Sequence, residues 1–241
     1  MFPIGRQLSL AGFLLSMFAH SAFGGVYADP SGFSFTYPDD WVAINRQTLG
    51  DVNQALPQAA KDWVARNNVD LNRIAVVLLR DGREGFLDNL NVVIENQQIP
   101  INEEALKRLT DELVPRYRAM NVTVDDLRGR VQKFGSRDGL VMDYQSKMPG
   151  VPFPLRQRQV MLPGGGKTYI ITCSAKTDTF DKHQATFEGV VASFQAPAPI
   201  VIGFDWNQVG KNAAVWGIAG GVIGGLVAII RKFTGKSKLP G

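Results

Sequence analysis

GGKTYIITCSAKTDTFDKHQATFEGVVASF, residues 165–194, is the stretch from which the fold is read. Its opening glycines read as a turn. Thr168 to Ala175 is an apolar run rich in β-branched and aromatic residues, which predicts a buried strand. From about Asp181 to Phe194 the spacing changes to that of a helix, with Phe187, Val190, Val191 and Phe194 forming its apolar stripe. Just upstream, Leu155 to Leu162 reads as another strand, joined to the first through the hairpin turn Pro163-Gly164-Gly165-Gly166. Cys173, the only cysteine, sits inside the strand run. It reads as a small core residue, and an intramolecular disulfide is impossible.

Working outward, Gly32 to Tyr37 alternates, with Phe33, Phe35 and Tyr37 on one face, and Pro38 ends it before a turn at Asp39-Asp40. Asp51 to Asn67 predicts a short helix interrupted by Pro57. Arg73 to Arg80 and Asn91 to Glu95 read as strands, with Asp81-Gly82 and Asn89 in the turns around them. A clear helix begins after Pro100. Asn102 is a suitable N-cap, Glu103 and Glu104 suit the positive end of the helix dipole, and Leu106, Leu109, Leu113 and Tyr117 share one face. Glu103–Lys107 and Glu104–Arg108 have the spacing of ion pairs. Val122 to Phe134 and Leu140 to Lys147 supply further strands. This order predicts an α+β domain, an antiparallel β-sheet with helices packed on its faces. The alternating Ala196-Pro197-Ala198-Pro199 that follows reads as an extended linker, assigned to residues 196–208.

The ends of this domain resemble the PsbP-like family, which also includes the bacterial DcrB-type proteins and a nuclear import factor that binds the GTPase Ran. At the N-terminal side the resemblance lies in GFSFTYPDDWV, an aromatic-alternating strand followed by Pro38 and then Trp41. At the C-terminal side it lies in the glycine turn, strand, Asp-containing loop and helix ending in Ser193-Phe194. The resemblance spans about residues 26–195 and implies an α/β/α sandwich with partner-binding, generally non-enzymatic roles. The chain departs from the family in its C-terminal apolar segment.

That segment and the N-terminus predict where the protein works. Arg6 is the only charge among the first 28 residues, and the apolar run from Leu8 to Phe18 is 11 residues long. At about 1.5 Å per residue this is too short for a bilayer core of about 30 Å. With the small residues that follow, it reads as an export signal over residues 1–24. Ala22-Phe23-Gly24 satisfies a small-x-small cleavage rule, and Val26-Tyr27-Ala28 is a second candidate; no cysteine lies near either for lipid attachment. Ala213 to Ile230 is 18 residues without charge, inside a transmembrane helix assigned to 209–231. Arg231, Lys232, Lys236 and Lys238 lead into a basic tail, 232–241, expected on the cytoplasmic side, with the domain extracytoplasmic, periplasmic or extracellular. Gly217, Gly221 and Gly225 recur every four residues, as do Gly220 and Gly224, a glycine-zipper pattern suited to close helix association.

Net charge is +4, but residues 25–204 hold 20 basic and 21 acidic side chains. The basic excess therefore follows membrane topology rather than nucleic acid, and no nucleic-acid partner is expected. Outside the export signal His183 is the only histidine, at the rim of the last helix, so histidine catalysis and zinc binding have little to draw on. Asp39-Asp40 and Asp125-Asp126 lack calcium-loop spacing, and Gly164-Gly165-Gly166-Lys167-Thr168 lacks the leading glycine of a phosphate loop. Arg156 and Arg158 alternate on one strand face and are candidate contacts for an anionic ligand. The expected protein is a single-pass membrane-anchored binding protein, not an enzyme, with no catalytic residue, metal or cofactor. Its expected partners are the lipid bilayer and a membrane protein or a second copy met through the glycine face. An extracytoplasmic ligand- or metal-sensing domain is the alternative.

Overall fold

A computed structural model of the chain describes residues 23–54, 58, 61–62, 65, 71–80, 88–149, 151–200 and 204–206. Strands β3 (Trp41–Asn45), β4 (Ile74–Arg80), β5 (Asn89–Glu95), β6 (Thr123–Phe134), β7 (Arg137–Lys147), β8 (Leu155–Gly164) and β9 (Lys167–Lys176) form one sheet in the order β3-β4-β5-β9-β8-β7-β6. Every pairing in it is antiparallel. A separate hairpin joins β1 (Phe23–Ala28) to β2 (Ser34–Pro38).

Helices cover both faces, as the sequence predicts. On one face α2 (Glu103–Ala119) buries Leu106, Leu109, Leu113 and Tyr117 against Val93, Leu140, Met161 and Ile170. Each such leucine contributes about 1.5–3 kcal/mol by leaving water. On the other face α3 (Phe180–Ser193) and the β1–β2 hairpin bury Phe187, Val190, Phe33 and Phe35 against Val92, Val160 and Ile171. The central strands β5, β8 and β9 are therefore buried along most of both sides.

Several expectations are corrected. The first helix, α1 (Arg46–Gln54), starts before Asp51, because Asn45 ends β3 and its side chain accepts a hydrogen bond from the Thr48 amide at 3.0 Å. Asn89 lies in β5 opposite Ser174, not in a turn. In α2 the Asn102 cap is present, its side chain accepting from the Ala105 amide at 2.8 Å. Lys107 and Arg108, however, pair forward with Asp111 and Glu112 rather than back to Glu103 and Glu104. Arg108 also lies over the Trp206 ring at 4.5 Å, a contact that local spacing does not reveal. The β8–β9 turn is the expected hairpin, with Gly165 and Gly166 at φ +58° and +77°.

The largest correction concerns the Ala-Pro stretch. It is held against the domain and is not a free linker. Gln195 forms a bridge with Ser34, and Arg137 donates to the Ala196 carbonyl. The Gly165 amide donates to the Ala198 carbonyl at 2.9 Å, and Gln98 bonds both the amide and the carbonyl of Ile200. Further on, the Asp205 amide donates to Gln97 Oε1 at 3.2 Å, and Phe204 and Trp206 pack against the core on the α2 face. Residues 195–200 and 204–206 thus form a strap that starts beside α3 and β2, passes the β8–β9 turn and reaches α2.

Of the expected export signal over 1–24, residues 1–22 lie outside the described residues, as do the membrane segment 209–231 with Gly217, Gly220, Gly221, Gly224 and Gly225 and the tail 232–241. Among the described residues no helix is long and apolar enough to cross a membrane.

Candidate binding faces of the sheet

Register sorts the polar side chains of β8 between two environments. Arg156 and Arg158 point to the α3 face; Gln157 and Gln159 point to the α2 face. On the α3 face both arginines are ion-paired. Arg158 Nε donates to Asp143 at 2.6 Å and its Nη1 to Glu188 at 3.2 Å. Arg130 reaches the second oxygen of Asp143, also at 2.6 Å. Arg156 donates to Asp181 at 2.7 Å and lies over the Phe180 ring. Burial opposes ionisation of Asp143, yet the hydrogen bonds from Arg130 and Arg158 outweigh it and hold the carboxyl below its ordinary pKa. The two arginines share a face as the sequence predicts, but three carboxylates of this chain already occupy the positions an anion would take.

His183 is more deeply placed than a rim residue. It is 5 % exposed, lies edge-on to Trp41, and its Nε2 is 2.9 Å from Asp88 and 3.3 Å from Arg80. The Thr179 hydroxyl donates to Asp88 rather than to His183. The carboxylate therefore stands between hydroxyl and imidazole, whereas a hydroxyl nucleophile needs the imidazole in the middle. Burial pushes the Cys173 thiol far above its ordinary pKa, which disfavours the reactive thiolate. Asp40 pairs with Arg80 and Asp125 with Lys147. Among the described residues no group of three or more His, Cys, Asp or Glu is placed to hold a metal.

The α2 face carries polar residues that the sequence reading missed. Tyr144, Gln157, Ser174 and Asn89 align across β7, β8, β9 and β5, and Gln159, Thr172 and Asn91 form the row beside them. All are buried. Ser146 donates to Gln157 at 2.7 Å, Gln157 to Ser174 at 3.0 Å, and Gln159 to the Thr172 hydroxyl at 3.3 Å. The Tyr117 and Tyr144 hydroxyls meet at 3.0 Å, and burial keeps both protonated. The side-chain carbonyl oxygens of Asn91 and Gln159 are buried without a hydrogen-bond donor. Leaving such an acceptor unpaired costs about 1–3 kcal/mol. This patch is uncharged and buried, so it holds hydrogen bonds within the sheet face but cannot move protons near neutral pH. The signal was present in the sequence as polar residues at alternate positions of RQRQVML, NLNVVIE and ITCSA, but only the register shows that they meet.

Fold and faces together define an α+β sandwich with ion-paired side chains on one face and a buried amide–hydroxyl patch on the other. No family model and no curated protein sequence matches the chain. Similar solved structures include cyanobacterial PsbP (CyanoP) from Synechocystis sp. PCC 6803, 17 % identical with a TM-score of 0.47, covering 79 % of this chain and 98 % of that one. A protein from Bacteroides thetaiotaomicron VPI-5482 is 12 % identical with a TM-score of 0.44, over 77 % of this chain and 55 % of that one. LpqN of Mycobacterium tuberculosis, described as involved in cell envelope biogenesis, is 11 % identical with a TM-score of 0.38, over 71 % of this chain and 91 % of that one. The first is a PsbP, the family that the two terminal motifs resemble. At these TM-scores none of the three bears on function.

Proposed function

We propose that the chain is a single-pass membrane protein whose extracytoplasmic α+β domain works by binding, as a non-enzymatic accessory or assembly factor for a membrane complex. The observation that carries this reading is the strap. Residues 195–200 and 204–206 are secured to the domain on both sides of the sheet, and the apolar segment expected to span the bilayer begins at 209. A domain tied so closely to its stem presents a constant surface to neighbours in the membrane. The glycine face of Gly217, Gly221 and Gly225 then supplies helix contact within the bilayer. Recovery of a defined membrane protein, or of a dimer, from mildly solubilised membranes supports this. A monomer with no companion, soluble without detergent, contradicts it.

The alternative, an extracytoplasmic ligand-sensing domain, is favoured by the amide–hydroxyl patch rather than by Arg156 and Arg158. A ligand that binds only the folded state raises the melting temperature. No shift across a broad screen of uncharged small molecules counts against it.

A further inference from the structure

The β1–β2 hairpin discriminates between the two candidate export-signal cleavage sites. The ladder is regular from Gly25 onward, with Gly25 opposite Tyr37, Val26 opposite Thr36, Tyr27 opposite Phe35 and Ala28 opposite Ser34. The register breaks between Phe23 and Gly25. Cutting after Ala28 would remove all four of those pairs, and with them Tyr27. Tyr27 stacks on Phe35 with centroids 5.3 Å apart, and its hydroxyl donates to Asp29 at 3.0 Å and approaches the Ala75 carbonyl at 3.4 Å. The hairpin's cover of Phe33 and Phe35 depends on it. Cutting after Gly24 removes only the irregular end.

Two close approaches mark the same junction. A Cβ on Gly24 would lie 1.8 Å from Asp39 Oδ1, so this carboxylate rests against the Gly24 backbone. A Cβ on Gly25 would lie 2.4 Å from the Tyr37 ring, so a side chain at residue 25 would displace that ring. Asp39 itself is exposed.

We infer that the mature protein begins at Gly25 and that its new α-ammonium docks on the Asp39 carboxylate, pinning the first strand. The inference rests on the export-signal reading. The step is hydrolysis by a signal peptidase. Water adds to the Gly24 carbonyl carbon, the Gly24–Gly25 bond breaks, Gly24 leaves as a carboxylate, and the Gly25 nitrogen takes up protons to become an ammonium. The freed charge appears beside the Asp39 carboxylate, and a neighbouring negative charge favours the charged form of an amine.

Intact-mass measurement of the full chain purified from membranes tests the site. A chain starting at Gly25 is expected. A start at Asp29 or another nearby residue overturns the inference while leaving export intact, and an unprocessed Met1 start overturns the export-signal reading itself. The docking is tested by acylation of the α-amine near neutral pH. A carboxylate-paired amine stays protonated and reacts slowly, so Asp39→Asn is expected to speed labelling about threefold to tenfold, as a shift of about half to one pKa unit requires. An unchanged rate, with the hairpin still folded by circular dichroism, overturns the docking.

Discussion

Gln98 holds Ile200 by both arms of its side-chain amide, donating from Nε2 to the Ile200 carbonyl at 2.7 Å and accepting at Oε1 from the Ile200 amide at 3.1 Å. The pair imitates one rung of a β-ladder, built from a side chain instead of a strand. It fixes the strap midway between the Ala198 contact at the β8–β9 turn and the Trp206 contact on α2.

Gln98→Ala is expected to release the middle of the strap with little effect on the sheet. Two exposed hydrogen bonds are lost, at about 0.5–1.5 kcal/mol each. Hydrogen exchange at Ile200 and limited proteolysis around residues 196–206 should both accelerate. Unchanged exchange there would mean that the strap is held elsewhere.

Gly164→Ala attacks the strap at a different point, beside the β8–β9 turn. Its Cβ would lie 2.6 Å from the Pro197 carbonyl oxygen and 3.2 Å from the Tyr169 ring. Overpacking of this kind costs about 1–3 kcal/mol. The melting temperature should fall by about 2–4 °C per kcal/mol for a chain of this size. Wild-type stability with wild-type proteolysis would show that strap and turn do not press on one another.

Asp143 predicts the acid response. A carboxyl with a depressed folded-state pKa stabilises the fold above its unfolded pKa of about 3.9, and this contribution is lost as pH falls through the folded value. Asp143→Asn should therefore be less stable than wild type at neutral pH, by about 1.5–3 kcal/mol for its charged hydrogen bonds. In urea melts the gap should close below about pH 4. A gap that stays constant into strong acid would show that charge is not what the pair contributes.

The buried carbonyl oxygens of Asn91 and Gln159 make a prediction of opposite sign. Gln159→Met keeps the shape, removes an acceptor that lacks a donor and gives up the 3.3 Å hydrogen bond to Thr172, which is worth less than the unpaired oxygen costs. It should raise stability by about 1 kcal/mol. A gain in thermal melts would mean that the amide is retained for something other than folding, whereas a loss would make it a structural group whose partner forms in solution.

What could be read from the sequence was what is local. The Leu106, Leu109, Leu113 and Tyr117 face, the Asn102 cap and the Gly165-Gly166 turn each lie within one turn or hairpin, and all three are present. The relations missed are long-range. Arg156 and Arg158 stand out in the sequence as basic residues, but their carboxylate partners come from β7 and α3. Gln157 and Gln159 gain meaning only when β8 is laid beside β9 and β5. Alternating Ala and Pro specify an extended backbone, but not that Ser34, Gly165 and Gln98 will grip it.

The central claim, a domain held outside the cytoplasm on a membrane stem, is tested most directly by cysteine labelling at the two ends of the apolar segment. Cys173 is buried, so an introduced thiol reports alone in the folded chain. In intact cells Lys211→Cys should react with a membrane-impermeant maleimide, Lys236→Cys should react only after the membrane is opened, and Gly221→Cys should crosslink to a second copy or to another membrane protein. If both end positions react equally, in protein recovered without detergent, the segment does not span a bilayer and the account is wrong.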